Sequence, residues 1–184
     1  MRNLIAITNR NLYTIDYFEQ IKRIVDMSPE SLILREKGLT VDEYDYYASR
    51  VNRICGEADV DLYIHTHIDI ARKYSIKNIH MPVSVIQTIK DDLSDFDNIS
   101  VSCHSKDDVI TAKDLGATRI ILGTVFETDC KPGLKGAGLD FVRSITSITK
   151  LPVYAIGGIN ESNIESVIEA GAAGGCMMSG FASK

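Results

Sequence analysis

The sequence has no long hydrophobic run and no concentrated positive charge, which excludes two classes of partner. No window is long and apolar enough to span a membrane, and the apolar run within residues 1–14 is too short for a secretory signal peptide. The net charge is −5 with an isoelectric point of about 5.4, and Lys and Arg form no dense patch. We therefore expect a soluble, cytoplasmic protein without a nucleic-acid or membrane partner.

Cysteine is sparse and dispersed. The four cysteines, Cys55, Cys103, Cys130 and Cys176, form no CxxC pair, so they do not suggest a metal or redox motif. A reducing compartment is the simplest account, although four cysteines can in principle pair as disulfides. The chain also lacks low-complexity segments, and its 184 residues, 45% hydrophobic and 24% charged, suit one domain with a sizeable core.

Short apolar runs alternate with helical patterns along the chain, which predicts an α/β fold. Strands are predicted at 4–8, 31–34, 61–66, 78–81, 99–103, 120–122, 152–156 and 175–178. Helices are predicted at 15–27, from an N-cap at Thr40 with Glu43 in a capping box to 55, at 68–74, 106–115 and 139–149, and from a cap at Asn160 or Ser162 to Gly171. This alternation requires parallel pairing, and eight units close a (β/α)8 TIM barrel, with an open doubly wound sheet as the alternative.

The predicted barrel is small: it occupies residues 1–184 as a single domain, and its last helix is missing. Without that helix, the flank of the first, seventh and eighth strands is left uncovered. A second subunit is one way to cover it, and we therefore expect a homodimer.

Polar residues, glycines and one methionine follow the predicted strands, where a TIM barrel builds its active site. They are Arg35 and Lys37 after the second strand, His65 after the third, Ser102 and His104 at the fifth, Thr124, Glu127, Thr128, Cys130 and Lys131 after the sixth, Gly157 and Gly158 after the seventh, and Met178, Ser179 and Gly180 after the eighth. Exposed backbone N–H groups after the last two strands favour a phosphate site. The alternatives are a solvated surface loop after the sixth strand and two ordinary tight turns after the seventh and eighth.

The cations and histidines of this rim have structural interpretations beside the functional ones. Arg35 and Lys37 suit a phosphate or diphosphate, but a surface ion pair with Glu36 is nearly as consistent with their spacing. His65 and His67 are candidate acid–base groups without the carboxylates that would indicate zinc. His104 is the stronger candidate, and His80 is expected to be packed.

Five segments together resemble the thiamine-phosphate synthase/TenI superfamily. They read LREKG at 34–38, SCHS at 102–105, VFETDCKPGLKGAG at 125–138, AIGGIN at 155–160 and MSG at 178–180, in the family's order and over nearly the whole chain. The resemblance implies a TIM barrel active in thiamine biosynthesis. The FETDCK segment is more similar to the TenI branch, whose known activity is thiazole tautomerisation.

The resemblance also implies roles for individual residues. Arg35 and Lys37 match the synthase's diphosphate contacts, and Ser102 and Lys131 match two further phosphate contacts. Thr128, Gly158 and Ser179 match its thiazole-phosphate site. Cys130, Gly157, Met178 and Gly180 stand beside these residues in the matched segments, and we expect them to line the same substrate site.

Four departures separate the chain from the matched enzymes. Ile33 replaces the synthase's pyrimidine-binding glutamine, His65-Thr66 replaces Asn-Asp, and residues 81–84 supply no aspartate. Magnesium needs hard oxygen ligands, so these changes disfavour the synthase reaction. Thr124 stands where the tautomerase has its histidine, and a threonine hydroxyl does not titrate near neutral pH.

We therefore expect a TenI-like enzyme that binds a thiazole phosphate and catalyses its tautomerisation, without a cofactor or metal. His65, His67, Glu127 or Cys130 would supply the base that Thr124 does not. Two alternatives remain. One is thiamine-phosphate synthase, which would need magnesium and a pyrimidine diphosphate, and the other is a non-catalytic binding protein for thiazole or thiamine phosphates.

Overall fold

Eight parallel strands close into one barrel in the computed structural model, which describes residues 3–89, 92–128, 133 and 135–182. The strands are β1 (Leu4–Ile7), β2 (Ser31–Leu34), β3 (Asp61–His65), β4 (Asn78–Pro82), β5 (Asn98–Cys103), β6 (Arg119–Gly123), β7 (Val153–Ile156) and β8 (Gly174–Met177). Each strand pairs with the next, and β8 closes on β1 with Gly175 opposite Leu4. The TIM-barrel prediction is confirmed, and the open-sheet alternative is wrong.

Helices follow the strands around the outside of the barrel. They are α1 (Tyr17–Asp26), α2 (Val41–Glu57), α3 (Ile68–Lys73), α4 (Val83–Ile89), α5 (Lys106–Asp114), α6 (Gly138–Thr146), α7 (Ile164–Glu169) and α8 (Ser179–Ala182). The sequence did not predict α4, because five of its seven residues, VSVIQTI, are β-branched and thus more typical of a strand. After β8, the structure describes a helix of only four residues.

Two predicted helix starts had different outcomes. The capping box of α2 is confirmed, since Thr40 Oγ1 accepts from Glu43 N–H and Glu43 Oε2 accepts from Thr40 N–H at 2.7 Å. The predicted cap of α7 is wrong, because that helix begins at Ile164 after Asn163. Asn160 instead accepts from Ser162 N–H in the turn that precedes the helix.

The core has two layers, one inside the barrel and one between the barrel and its helices. The inner layer is formed by seven buried residues: Ile5, Ile7, Ile33, Tyr63, Ile121, Tyr154 and Cys176. The outer layer is larger and joins the opposite faces of the strands to the apolar faces of the helices. Strands buried on both faces explain the near-continuous apolar runs of the sequence.

A buried cation fills the amino-terminal end of the barrel. The Arg119 guanidinium lies 3.7 Å from the Tyr63 ring centroid, donates to Ser31 Oγ at 3.1 Å and lies 3.9 Å from Glu30. Tyr154 also donates to Glu30. This end is filled by side chains, so a substrate site belongs at the carboxyl ends of the strands.

The flank beside β8 and β1 is partly filled by α8. Phe181 is fully buried there, and its carbonyl accepts from Gln20 Nε2 of α1 at 2.9 Å. The homodimer stays a prediction.

Three cysteines, Cys55, Cys103 and Cys176, are free and buried, and burial raises the pKa of each thiol to about 12. The disulfide alternative is therefore wrong for these three, and Cys130 lies outside the described residues. Within the described part of the chain, no helix is long and apolar enough to cross a membrane.

Candidate active site at the carboxyl end of the barrel

The predicted site residues that the structure describes lie at the carboxyl ends of the strands, on one rim. Backbone contacts join neighbouring parts of this rim. Arg35 N–H donates to Thr8 Oγ1 at 3.0 Å, and Phe126 N–H donates to the carbonyl of Gly157 at 3.0 Å. Parallel strands bring these loops together because their carboxyl ends all face the same way. Cys130 and Lys131 lie outside the described residues, so their predicted roles stay predictions.

Glu36 is buried, and its carboxylate is bonded to other residues than its neighbours Arg35 and Lys37. Its carboxylate accepts from Tyr17 OH at 3.0 Å and from Arg10 N–H at 3.0 Å, and Arg10 Nη1 lies 3.5 Å from it. Arg10 also donates to the carbonyl of Lys37 at 2.8 Å. The alternative interpretation, a surface ion pair of Glu36 with Arg35 or Lys37, is therefore wrong. Sequence reasoning missed Arg10 because it lies 26 residues from Glu36 along the chain.

Arg35 and Lys37 form no ion pair with any described residue. Burial lowers the pKa of the half-buried Arg35 guanidinium, and the charge of Glu36 opposes that shift. An arginine remains charged at neutral pH despite such a shift. The rim therefore presents two cations that the described acidic residues leave without a partner.

His65 is a neutral imidazole on this rim. Burial is the main reason that its pKa falls to about 4, and the positive charges of Arg35 and Lys37 add to the shift. Its ring stacks on His80 with 5.5 Å between centroids, and Nδ1 is buried without a hydrogen-bond partner in the described structure. A neutral ring can donate through one nitrogen and accept through the other.

The other two candidate histidines differ in position. His67 precedes α3, and its ring lies 4.0 Å from the Tyr44 ring, where burial lowers its pKa. This packing favours a structural role for His67. His104 is exposed, and its Nδ1 contacts the carbonyl of Gly123 at the end of β6. That contact holds His104 at the rim between β5 and β6.

His80 is packed, as expected, but it also contacts a predicted phosphate ligand. Its Nδ1 lies 2.9 Å from Ser100 Oγ and its Nε2 lies 3.0 Å from Ser102 Oγ. Burial sets the pKa of His80 well below its ordinary value, so the ring is neutral. The register of β4 and β5 places Ser100 opposite His80. This pairing is the signal for the contact, and it can be used only once the neighbouring strands are known.

The loop after β6 packs closely on the turn after β7. Gly157 and Gly158 have φ values of +100° and +64°, and a Cβ on Gly157 would lie 2.4 Å from Thr124 Cγ2. A Cβ on Gly158 would lie 2.6 Å from the carbonyl oxygen of Glu127. The two glycines therefore permit this packing whether or not a phosphate binds there. Glu127 itself is exposed.

The end of β8 contacts the loop after β1. Asn9 Nδ2 lies 3.4 Å from Met178 Sδ, and α8 begins at Ser179. A cavity of about 340 Å³ lies next to this junction, lined in part by Arg23 and Ser179. Ser179, at the start of α8, therefore lies beside a cavity between α1 and α8.

The residues on the rim do not fit a magnesium site of the expected kind. Position 66 is a threonine with φ of +64° whose hydroxyl donates to the carbonyl of His65, and the chain after β4 begins Val83-Ser84. Among residues 3–89, 92–128, 133 and 135–182, no group of three His, Cys, Asp or Glu side chains could hold a metal ion. The oxygen donors that magnesium requires are thus not assembled by these residues.

The fold and the rim define a TIM barrel with a cationic opening. The chain belongs to the thiamine monophosphate synthase family, whose sequence profile matches residues 4–181. This membership places the chain in thiamine biosynthesis and confirms the resemblance derived from its motifs.

Two curated relatives are named thiamine-phosphate synthase. The thiamine-phosphate synthase of Methanococcus maripaludis is 30% identical over 169 residues, which cover 89% of this chain and 80% of that protein. The thiamine-phosphate synthase of Clostridium acetobutylicum is 30% identical over 183 residues, which cover 98% of this chain and 87% of that protein. These names support the synthase alternative better than the expected TenI-like tautomerase.

A solved structure supports the fold. The thiamine phosphate pyrophosphorylase from Pyrococcus furiosus superposes with a TM-score of 0.85 at 24% identity, covering 97% of this chain and 86% of that chain.

Proposed function

We propose that this chain is a thiamine-phosphate synthase that joins a pyrimidine diphosphate to a thiazole phosphate. The observation that carries this proposal is the pair of rim cations. Glu36 is held by Arg10 and Tyr17, so neither Arg35 nor Lys37 forms an ion pair with a described carboxylate. A diphosphate supplies the charge that two such cations can bind, through charge-assisted hydrogen bonds.

In the proposed reaction, the thiazole ring nitrogen attacks the methylene carbon of the pyrimidine. A carbon–nitrogen bond forms as the carbon–oxygen bond to the diphosphate breaks, and the diphosphate leaves with the bonding electrons. Arg35 and Lys37 stabilise the negative charge that grows on the leaving group. This stabilisation is stronger in the transition state than in the ground state, which is the condition for catalysis.

The thiazole phosphate would bind on the opposite part of the rim. The turn Gly157-Gly158 and the start of α8 at Ser179 offer backbone N–H groups at the ends of β7 and β8. This arrangement resembles the phosphate sites that TIM barrels form after their last two strands. Thr128 and Ser102 would add hydroxyl contacts, the first to the thiazole phosphate and the second to the diphosphate.

Turnover of the two substrates tests the proposal. The purified chain is incubated with the pyrimidine diphosphate and the thiazole phosphate, with and without magnesium, and thiamine phosphate is quantified by chromatography. We expect product from the wild-type chain and at least a hundredfold lower kcat/KM for Arg35→Gln, from the loss of about 3 kcal/mol of charge stabilisation. Arg53→Gln, which removes an exposed cation of α2, is the matched control and should keep full activity. No product in either buffer would refute the synthase function.

Tautomerisation of a thiazole phosphate is the second candidate, and His65 favours it. The synthase reaction in this family would rely on an Asn-Asp pair where this chain has His65 and Thr66, whereas a neutral imidazole can accept a proton directly. The assay follows conversion of the thiazole-carboxylate phosphate tautomer to its aromatic isomer. Acceleration that is lost in His65→Gln, together with no thiamine phosphate formation, would replace the synthase function with this one.

A further inference from the structure

The interior of the barrel contains a polar contact that reaches from a buried strand position to the rim. We define the His80 bridge as Ser100, His80 and Ser102, in which the imidazole of β4 lies between two serine hydroxyls of β5. Ser100 is fully buried, His80 is 3% exposed, and Ser102 is partly exposed at the rim. Neither the fold nor the reaction explains why a histidine should join these two hydroxyls.

In the His80 bridge, the position of the imidazole proton determines which way the serine hydroxyl protons point, because each member has only one proton to donate. A neutral imidazole carries one N–H, and a serine hydroxyl carries one O–H. If Nε2 holds the imidazole proton, it donates to Ser102 Oγ. The Ser102 proton is then free to point into the opening at the carboxyl end of the barrel, which we call the mouth. If Nδ1 holds that proton, Nε2 must accept from Ser102, and Ser102 then presents only its oxygen lone pairs to the mouth.

The surroundings of Ser100 favour the first arrangement. Ser100 is fully buried, and Nδ1 of His80 is the hydrogen-bond partner of its hydroxyl among the described residues. If Nδ1 donated to Ser100 Oγ, the Ser100 proton would be buried without an acceptor, which costs free energy. The Ser100 hydroxyl therefore donates to Nδ1 of His80, and Nε2 carries the imidazole proton.

We propose that the His80 bridge positions Ser102 as a hydrogen-bond donor to a phosphate oxygen of the bound substrate, with Ser100 fixing the tautomer of His80. This inference rests on the proposed phosphate site at the mouth, because a phosphate accepts hydrogen bonds and cannot donate them when fully ionised. His80 is a positioning residue here, since it acts on the substrate only through Ser102.

The tautomer of His80 can be measured without any ligand. Protein labelled with ¹⁵N-histidine contains four imidazoles, and long-range ¹H–¹⁵N correlations distinguish an Nδ1–H from an Nε2–H tautomer. The signal of His80 is identified by its loss in His80→Gln. We expect the Nε2–H tautomer in the wild-type chain and a mixture in Ser100→Ala, which has lost the donor to Nδ1. An Nδ1–H tautomer in the wild-type chain overturns the proposal.

Binding of the pyrimidine diphosphate and of the corresponding pyrimidine alcohol without phosphate tests the consequence. By calorimetry, Ser102→Ala should bind the diphosphate about tenfold or more weakly and the alcohol with unchanged affinity, and Ser102→Thr should retain diphosphate binding. Ser100→Ala should lose about threefold or more in affinity for the diphosphate alone. Ser31→Ala is the matched control, because that buried hydroxyl contacts Arg119 and not His80.

The outcomes separate this inference from the proposed function. Phosphate binding that is unchanged in Ser102→Ala, or weakened equally in Ser31→Ala, overturns the role of the His80 bridge and leaves the mouth as a phosphate site. A wild-type chain that binds no pyrimidine diphosphate overturns both, whatever the tautomer of His80.

Discussion

At the scale of single residues, the chemistry of the mouth depends on which groups are charged. Arg35 and Lys37 keep their charge free for a ligand because Glu36 is bonded elsewhere. His65 and His80 are neutral because burial, assisted by nearby cations, lowers the pKa of each ring. The mouth is therefore positive through two side chains and neutral at His65 and His80, which suits a phosphorylated heterocycle.

The lowered pKa of His65 predicts a pH dependence of folding stability. The unfolded chain binds a proton at His65 below about pH 6.5, while the folded chain does so only near pH 4, so the free energy of unfolding falls as the pH falls between these values. Urea unfolding at pH 7.5 and pH 4.5 should show a loss in the wild-type chain that is on the order of 2 kcal/mol smaller in His65→Gln. Equal losses in the two proteins would contradict the assignment of a neutral, partly buried His65.

Gly157 shows how closely the rim is packed. Gly157→Ala must accommodate both a φ of +100° and a Cβ 2.4 Å from Thr124 Cγ2, and we expect it to lower the free energy of unfolding by about 2–4 kcal/mol. Gly116→Ala is the matched control, because Gly116 also has a positive φ, +88°, but no atom within 4 Å of the added carbon. Chemical denaturation of both variants separates the steric cost from the backbone cost. A loss no larger at Gly157 would mean that the loop moves aside freely.

At the scale of elements, the loop after β2 is anchored from two directions. Tyr17 lies at the start of α1 and Arg10 lies in the short 3₁₀ turn Arg10–Leu12, and both contact the Glu36 carboxylate. The sequence could not reveal this anchor, because it joins segments 19 and 26 residues apart. It fixes the backbone on which Arg35 and Lys37 are carried.

Removing one part of this anchor should weaken both folding and diphosphate binding. Tyr17→Phe deletes a hydrogen bond to a buried carboxylate, which we expect to cost about 1.5–3 kcal/mol of unfolding free energy. The KM for the pyrimidine diphosphate should rise more than kcat falls, because the variant disturbs the position of the cations. Tyr46→Phe, at an exposed tyrosine of α2, serves as the control and should change neither quantity measurably. A Tyr17→Phe variant with wild-type stability would show that Arg10 alone holds Glu36.

At the scale of the whole molecule, the order of strands and helices was predictable, and the contacts between distant strands were not. The alternation of apolar runs with helical patterns located all eight strands, because a strand buried on both faces leaves a continuous apolar signal. It did not reveal α4, whose seven residues follow Pro82 directly. The motifs placed Arg35, Ser102 and Gly158 on one rim, whereas the contact of His80 with Ser102 depends on the pairing of β4 with β5.

The closed barrel also explains why the two halves of the proposed site can act together. The loop after β2 provides the cations and the end of β5 provides Ser102, and the turns after β7 and β8 provide the glycines and Ser179. These loops share a rim only because β8 pairs with β1 and completes the circle. An open sheet would separate the second and eighth strands.

The most direct test of this account is a crystal structure of the chain soaked with the pyrimidine diphosphate. We predict that the diphosphate lies within hydrogen-bond distance of the Arg35 guanidinium and the Lys37 ammonium, with one phosphate oxygen accepting from Ser102 Oγ. A diphosphate bound elsewhere on the molecule, with Arg35 and Lys37 both left in solvent, would contradict the claim that these two cations hold the leaving group.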